Sequence, residues 1–357
     1  MTGFPGFLGS RLVPRLLDRH PDRRIVCLVQ PKFAAAARSR AEELTASMPS
    51  GAGRLELVEG DLTVAGLGLA DAGALADDVV EIWHLAAVYD LSVPRDLGMR
   101  VNVDGTRHVL EFAQGCRSLE RHHYVSTCYV SGRWCGPFRE TDLDVGQTFN
   151  NFYEETKFLA EREVADARRG GMPSTVYRPS IVVGDSRTGE TQKFDGPYVI
   201  LQWLMRQRRL ALVPYVGDPT MVRFNVVPSD FVLDAITHLS ALDDSDGMTY
   251  QLADPSPLTV DQVLTAMCEA LDLRGIRVHL PHRLAEWALR TIDPLERWLG
   301  IPAASIEYFR HPTHYDTTMA SSHLAGSGIA CPRFPDYLPA LIGFLRAHGD
   351  ADLGVMV

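Results

Sequence analysis

The sequence predicts an α/β fold, a doubly wound parallel sheet with a smaller C-terminal lobe, on three observations. Short apolar runs alternate with helical stretches through the first half, a glycine-rich turn at the start runs into an amphipathic helix, and the alternation loosens after Val183. Such alternation marks βαβ units, whose crossovers keep neighbouring strands parallel and put helices on both faces of the sheet.

Taken in order, the strand signals are 24–29, 55–58, 80–85, 123–126 and 175–178, and segments such as 101–114 carry apolar residues at helical spacing to cover the sheet. Beyond 183 comes a loop at 184–190, a helical segment from Tyr198 to Met205, a strand end at 226–228 followed by a helix carrying Val232, Ala235, Ile236 and Leu239, and a similar helix over 259–271. An apolar stripe over 283–299, with Trp287 and Trp298, is read first as packing against the lobe and second as a lid or interfacial contact. Residues 1–183 are expected to form a nucleotide-binding domain, with strand contributions from about 222–240, and 184–357 a substrate lobe.

Composition narrows the class. With 357 residues and 46% hydrophobic content the chain can bury a large core, and 35 basic against 45 acidic residues, net −10, argue against nucleic acid and anionic lipid as partners. Six cysteines without CxxC or ligand spacing give no metal site or disulfide framework. No apolar run approaches the roughly 20 residues that span a bilayer, and no secretory signal opens the chain, so a cytoplasmic protein acting on a small molecule is expected.

The opening Thr2-Gly3-Phe4-Pro5-Gly6-Phe7-Leu8-Gly9 spaces glycines for a tight turn, close approach to a pyrophosphate and close packing of the next helix, whose positive end would face the phosphates. Such a turn normally leaves the end of a central strand, yet only Met1 precedes it. The first strand is therefore expected to be truncated, with Met1 read as an internal strand residue, because a gap would orphan backbone groups on both neighbours. About 20 residues on, where an acidic side chain would hold a ribose 2′-hydroxyl, stand Gln30 and Lys32, with Arg38 and Arg40 nearby. This favours NADP(H) over NAD(H). Asp61-Leu62 ends one strand, where Asp61 suits either an adenine amino group or a turn cap; Leu85-Ala86-Ala87 ends another with small residues that let a cofactor pass, and His84 before them reads as a packed strand residue.

The chemistry is carried by Ser126-Thr127 at a strand end and by Tyr153 and Lys157, four residues apart on one helix face. An ammonium beside the Tyr153 ring would lower the cost of ionising the phenol, and a strand-end hydroxyl could hold a substrate oxygen. Cys128 has no histidine placed to activate it as a nucleophile.

Together with Asn102-Val103-Asp104-Gly105-Thr106 and Arg178-Pro179-Ser180, these motifs resemble the extended short-chain dehydrogenase/reductase family over roughly residues 1–240. The resemblance implies a Rossmann-type fold, Tyr153 as proton donor or acceptor, Lys157 on the nicotinamide ribose, Thr127 orienting the substrate oxygen, Asn102 supporting the proton relay or the fold, and Pro179, Ser180 and Ile181 lining the nicotinamide. Residues 125–130, 178–190 and 194–198 look like the male-sterility branch, with its fatty acyl-CoA and carrier-linked thioester reductases, and imply hydride delivery to an acyl thioester, aldehyde or hydrophobic ketone. Nucleotide-sugar epimerases and dehydratases and 3β-hydroxysteroid-type dehydrogenases share the core, though the apolar segment 198–215 suits an acyl chain better than a diphosphate. A non-catalytic NADP-sensing regulator is the remaining alternative, and a homodimer is expected from the resemblance.

Overall fold

In the computed structural model, which describes residues 1–48, 51, 53–215, 217–279 and 312–349, the glycine turn leads into α1 (Phe7–Arg19). The chain continues through β1 (Ile25–Val29), α2 (Ala34–Ser47), β2 (Leu55–Glu59), α3 (Ala72–Asp78), β3 (Glu81–His84), α4 (Arg95–Gly98), α5 (Gly105–Gly115), β4 (Arg121–Val125), β5 (Gly136–Phe138), α6 (Phe152–Arg169), β6 (Ser174–Pro179) and β7 (Ile181–Val183). There follow α7 (Pro197–Met205), β8 (Leu210–Tyr215), β9 (Val226–Pro228), α8 (Ser229–Leu239), β10 (Thr249–Leu252), α9 (Val260–Ala270), β11 (Arg274–His279), β12 (Thr313–Tyr315), α10 (Thr318–Leu324) and α11 (Phe334–His348). The stripe expected at 283–299 lies outside the described residues.

Every named strand pair is parallel: β10, β6, β4 and β3 in that order, and β1 with β2. Met1 and Thr2 join the two parts. The Met1 nitrogen donates to Val26 O (2.7 Å), the Leu28 amide donates to Met1 O (2.9 Å), and the Thr2 amide donates to Trp83 O (2.8 Å). The place expected for a strand before the glycine turn is thus held by a two-residue rung, and the sheet reads β2, β1, rung, β3, β4, β6, β10. On either side of the rung the winding reverses, the point at which open α/β sheets form a crevice beyond their strand ends.

Period-two alternation sends Trp83, Val125, Tyr177 and Tyr250 to one face, against Leu12 and Leu16 of α1 and Val232 and Ile236 of α8. Tyr124 and Val176 point to the other, against Leu110 of α5 and Ala160 and Val164 of α6. The helix expected at 101–114 starts earlier, because α4 runs through a π-helical turn, Met99–Asp104, into α5. Strand β10 and the β5–β12 pair had no clear sequence signal, being short and paired with distant residues.

The second core gathers Tyr198, Leu201 and Leu204 of α7, Ala211 and Val213 of β8, Val263 and Met267 of α9, and Tyr337 and Leu341 of α11. Much of the apolar segment 198–215 is therefore core, whereas Leu210 and Leu212 face solvent. Helix α9 starts at a capping box between Thr259 and Gln262. No described helix is long and apolar enough to cross a membrane.

Candidate active site

The glycine turn is closed by backbone geometry that side chains would prevent. Gly3 has φ +88°, and a Cβ there would come within 2.9 Å of the Leu85 and Ala86 backbone; at Gly9 it would come within 2.4 Å of Gly3 O. Gly6 caps α1 without a side-chain hydrogen bond, so no capping side chain covers the first amides of that helix. Around the turn, Phe4 is buried against Val13, Cys27 and Val29, Pro5 O accepts from the Ser10 hydroxyl (2.7 Å), the Arg11 guanidinium lies 4.8 Å from the Phe7 ring, and Leu8 packs on the α1–α8 core.

Thr2 Oγ1 accepts from the amides of Leu85 (3.2 Å) and Ala86 (3.1 Å) and meets His84 Nδ1 (2.7 Å), whose Nε2 meets Thr106 Oγ1 (2.9 Å). His84 is thus a satisfied buried strand residue, and Leu85, Ala86 and Ala87 are set beside the turn. At the next strand ends, Asp61 Oδ1 accepts from the Thr63 amide and hydroxyl, both at 2.8 Å. Although burial pushes the Asp61 pKa up, these bonds, one from Gln30 and the charge of Lys32 hold it below the usual carboxylate range. The turn-cap role of Asp61 is visible directly. Leu62 is core, Lys32 is exposed with its ammonium 4.6 Å from the Phe33 ring centre, Arg38 is exposed, and Arg40 pairs with Glu43 at 2.9 Å.

Across the crevice, β4 ends at Val125 and delivers Ser126 and Thr127, while Asn151 caps α6 by accepting from the Glu154 amide (3.0 Å). The cap places Tyr153 in the first turn and Lys157 one turn later. The Thr127 hydroxyl accepts from the Tyr129 amide (3.2 Å), lies 3.4 Å from Pro179 O and is near enough to Tyr153 to oppose the rise of its pKa. Burial pushes the Tyr153 pKa up to about 12, opposed by the Thr127 hydroxyl, and the residue as a whole is half-buried.

The Lys157 ammonium donates to the Tyr124 hydroxyl (2.8 Å) and Val125 O (2.9 Å), so the lysine grips the end of β4. Burial brings its pKa down to about 7, partly offset by Glu161. Asn102, in the π-helical turn, accepts from the Val88 amide (2.9 Å) and donates to Val88 O (3.1 Å) and Thr156 Oγ1 (3.0 Å). Its side chain thus ties Val88 to Thr156 of α6. Ser180 donates to Asn225 Oδ1 (2.8 Å), and Ile181 pairs in β7 with Val226 of β9.

Three neighbours of these residues were given no part in the site from sequence. Glu161 and Arg178 form an ion pair at 2.6 Å with only 2% of each side chain exposed. Its signal was the helical spacing that puts Tyr153, Lys157 and Glu161 at four-residue steps. Tyr124, the acceptor for Lys157, sits in an apolar run and reads as core. Among the described residues no cluster of His, Cys, Asp and Glu could hold a metal ion.

Residues 1–236 match the family model described as male sterility protein. The chain belongs to that family, and with it to the extended short-chain dehydrogenase/reductases, whose site is built on a nicotinamide cofactor. It is 30% identical over 280 residues, 75% of its length, to a linear gramicidin synthase of Brevibacillus parabrevis, and 31% identical over 281 residues, 74% of its length, to glycine betaine reductase ATRR of Emericella nidulans. It spans 5% and 21% of those two proteins. The crystal structure of the terminal R domain from the myxalamid PKS-NRPS pathway superposes with a TM-score of 0.80 at 27% identity, covering 98% of this chain and 90% of that one. An extended-family reductase architecture is thereby shown.

Proposed function

We propose that this member of the male-sterility family is an NADP(H)-dependent reductase of acyl thioesters, with aldehydes and hydrophobic ketones as further substrates. One observation carries the reading: Thr127, just past the end of β4, and Tyr153, in the first turn of α6, stand on the strand-end side of the sheet, where the glycine turn also opens α1. The likeness to the terminal R domain and to the reductase from Emericella nidulans supports it. Preference for the 2′-phosphate rests on Gln30 and Lys32 standing where a carboxylate would repel it. Lys157, Leu85, Ala86, Ala87 and Pro179 to Ile181 are the further cofactor contacts of this reading.

The bound reduced nicotinamide supplies a hydride. Tyr153, whose proton is retained across the neutral range, donates it to the oxygen of the carbonyl being reduced, and Thr127 holds that oxygen beside the phenol. From a thioester this gives a hemithioacetal, whose collapse releases thiol and aldehyde. Lys157 keeps α6 in register with β4 and contributes positive charge that favours the phenolate left behind. The test is cofactor oxidation by the purified chain against acyl-CoAs, acyl-N-acetylcysteamines, aldehydes and ketones, with NADPH and NADH compared. Thioester-dependent oxidation faster with NADPH is expected; binding without oxidation on any substrate contradicts it.

A further inference from the structure

Behind Thr127 and Tyr153, one buried carboxylate joins the ends of two strands. Glu161 Oε2 accepts from the Ser126 hydroxyl (2.5 Å), and Oε1 accepts from Arg178 Nε (2.9 Å) and Nη2 (2.6 Å). Arg178 Nη2 also donates to Asp142 O (2.8 Å), and the Arg178 carbonyl accepts from Cys128 Sγ (3.0 Å). Ser126 directly precedes Thr127, and Arg178 directly precedes Pro179, whose carbonyl Thr127 approaches. Glu161 thus fastens the ends of β4 and β6 to the helix that carries Tyr153 and Lys157.

We infer that Glu161 is a positioning residue for reduction: through Ser126 and Arg178 it fixes Thr127 against Tyr153, and one turn beyond Lys157 on α6 it sets a carboxylate beside that side chain. The titratable groups around Lys157 include Tyr124 of β4, His84 of β3, and Tyr153 and Glu161 one turn to either side on α6, with Arg178 of β6 behind Glu161. Burial holds His84 neutral, its pKa falling well below the ordinary value, and holds Tyr124 neutral by raising its pKa well above. That leaves Glu161 as the negative charge among them. The inference rests on the reductase reading of Tyr153 and Lys157.

The experiment is the pH profile of kcat/KM for NADPH-dependent thioester reduction by the parent chain, Glu161→Gln, and the double variant Glu161→Gln/Arg178→Gln, in which two amides can still pair without charge. Removing the carboxylate is expected to move the alkaline limb toward acid by about one pH unit and to lower kcat about tenfold or more, with KM changed less. Ser126→Ala, which leaves both charges in place, is expected to lower kcat with the limb unmoved. A uniform rate loss without movement of the limb in the double variant, or no loss at all, overturns the inference. If Glu161→Gln alone fails to fold, the double variant decides. A parent chain that reduces nothing would instead defeat the reductase reading itself.

Discussion

The Lys157 ammonium lies 2.8 Å from the Tyr124 hydroxyl on the inner side of α6, while Tyr153, one turn earlier, is only half-buried. The lysine therefore fixes the register of α6 on β4.

That burial has a price in stability with a defined pH dependence. Lys157 titrates at about 7 in the folded chain against 10.5 ordinarily, so between these values the unfolded state binds more protons and stability rises with pH; below about 7 the full penalty of the buried ammonium is present. Lys157→Met should therefore stabilise the protein more at pH 6 than at pH 9, by on the order of a few kcal/mol, while abolishing reduction. Thermal melts at the two pH values check this; an equal shift at both contradicts it.

Replacing Gly9 by alanine sets a Cβ 2.4 Å from Gly3 O, and at Gly3 an alanine meets backbone at 2.9 Å with φ +88°. Either change should cost about 1–3 kcal/mol of stability and weaken NADPH binding by about tenfold or more. Fluorescence titration and melting of each variant measure both quantities.

The site's local parts were legible in sequence because their signals are short-range. Glycine spacing announced the turn, and four-residue spacing put Tyr153 and Lys157 on one helix. The long-range part was not legible. Nothing local tells Lys157 to reach Tyr124, 33 residues away, or Arg178 to reach Glu161, 17 residues away, because both contacts follow from how α6 is laid over β4 and β6. Likewise β10 and β12 are three- or four-residue strands that gain meaning only from distant partners. Asp61 was ambiguous for a physical reason: a carboxylate at a strand end serves a turn or a ligand equally well, and only the Thr63 contacts show the first role.

Thr127→Ala should lower kcat about a hundredfold with the fold intact, because it removes the hydroxyl that orients the phenol and the substrate oxygen, and Thr127→Ser should restore most of it. Steady-state kinetics of the pair distinguish a lost hydroxyl from a lost methyl group.

Cofactor choice should turn on Lys32. Lys32→Ala is expected to raise KM for NADPH about tenfold and leave that for NADH nearly unchanged. Equal effects on both cofactors would place the 2′-phosphate contact elsewhere.

The central claim is that the Tyr153 phenol is the proton donor for hydride reduction. The most direct measurement is single-turnover oxidation of bound NADPH by an acyl thioester in the parent chain and in Tyr153→Phe, with NADPH affinity measured on both. A rate loss of about a hundredfold or more at unchanged affinity is predicted, and turnover at the parent rate in the phenylalanine variant would contradict it.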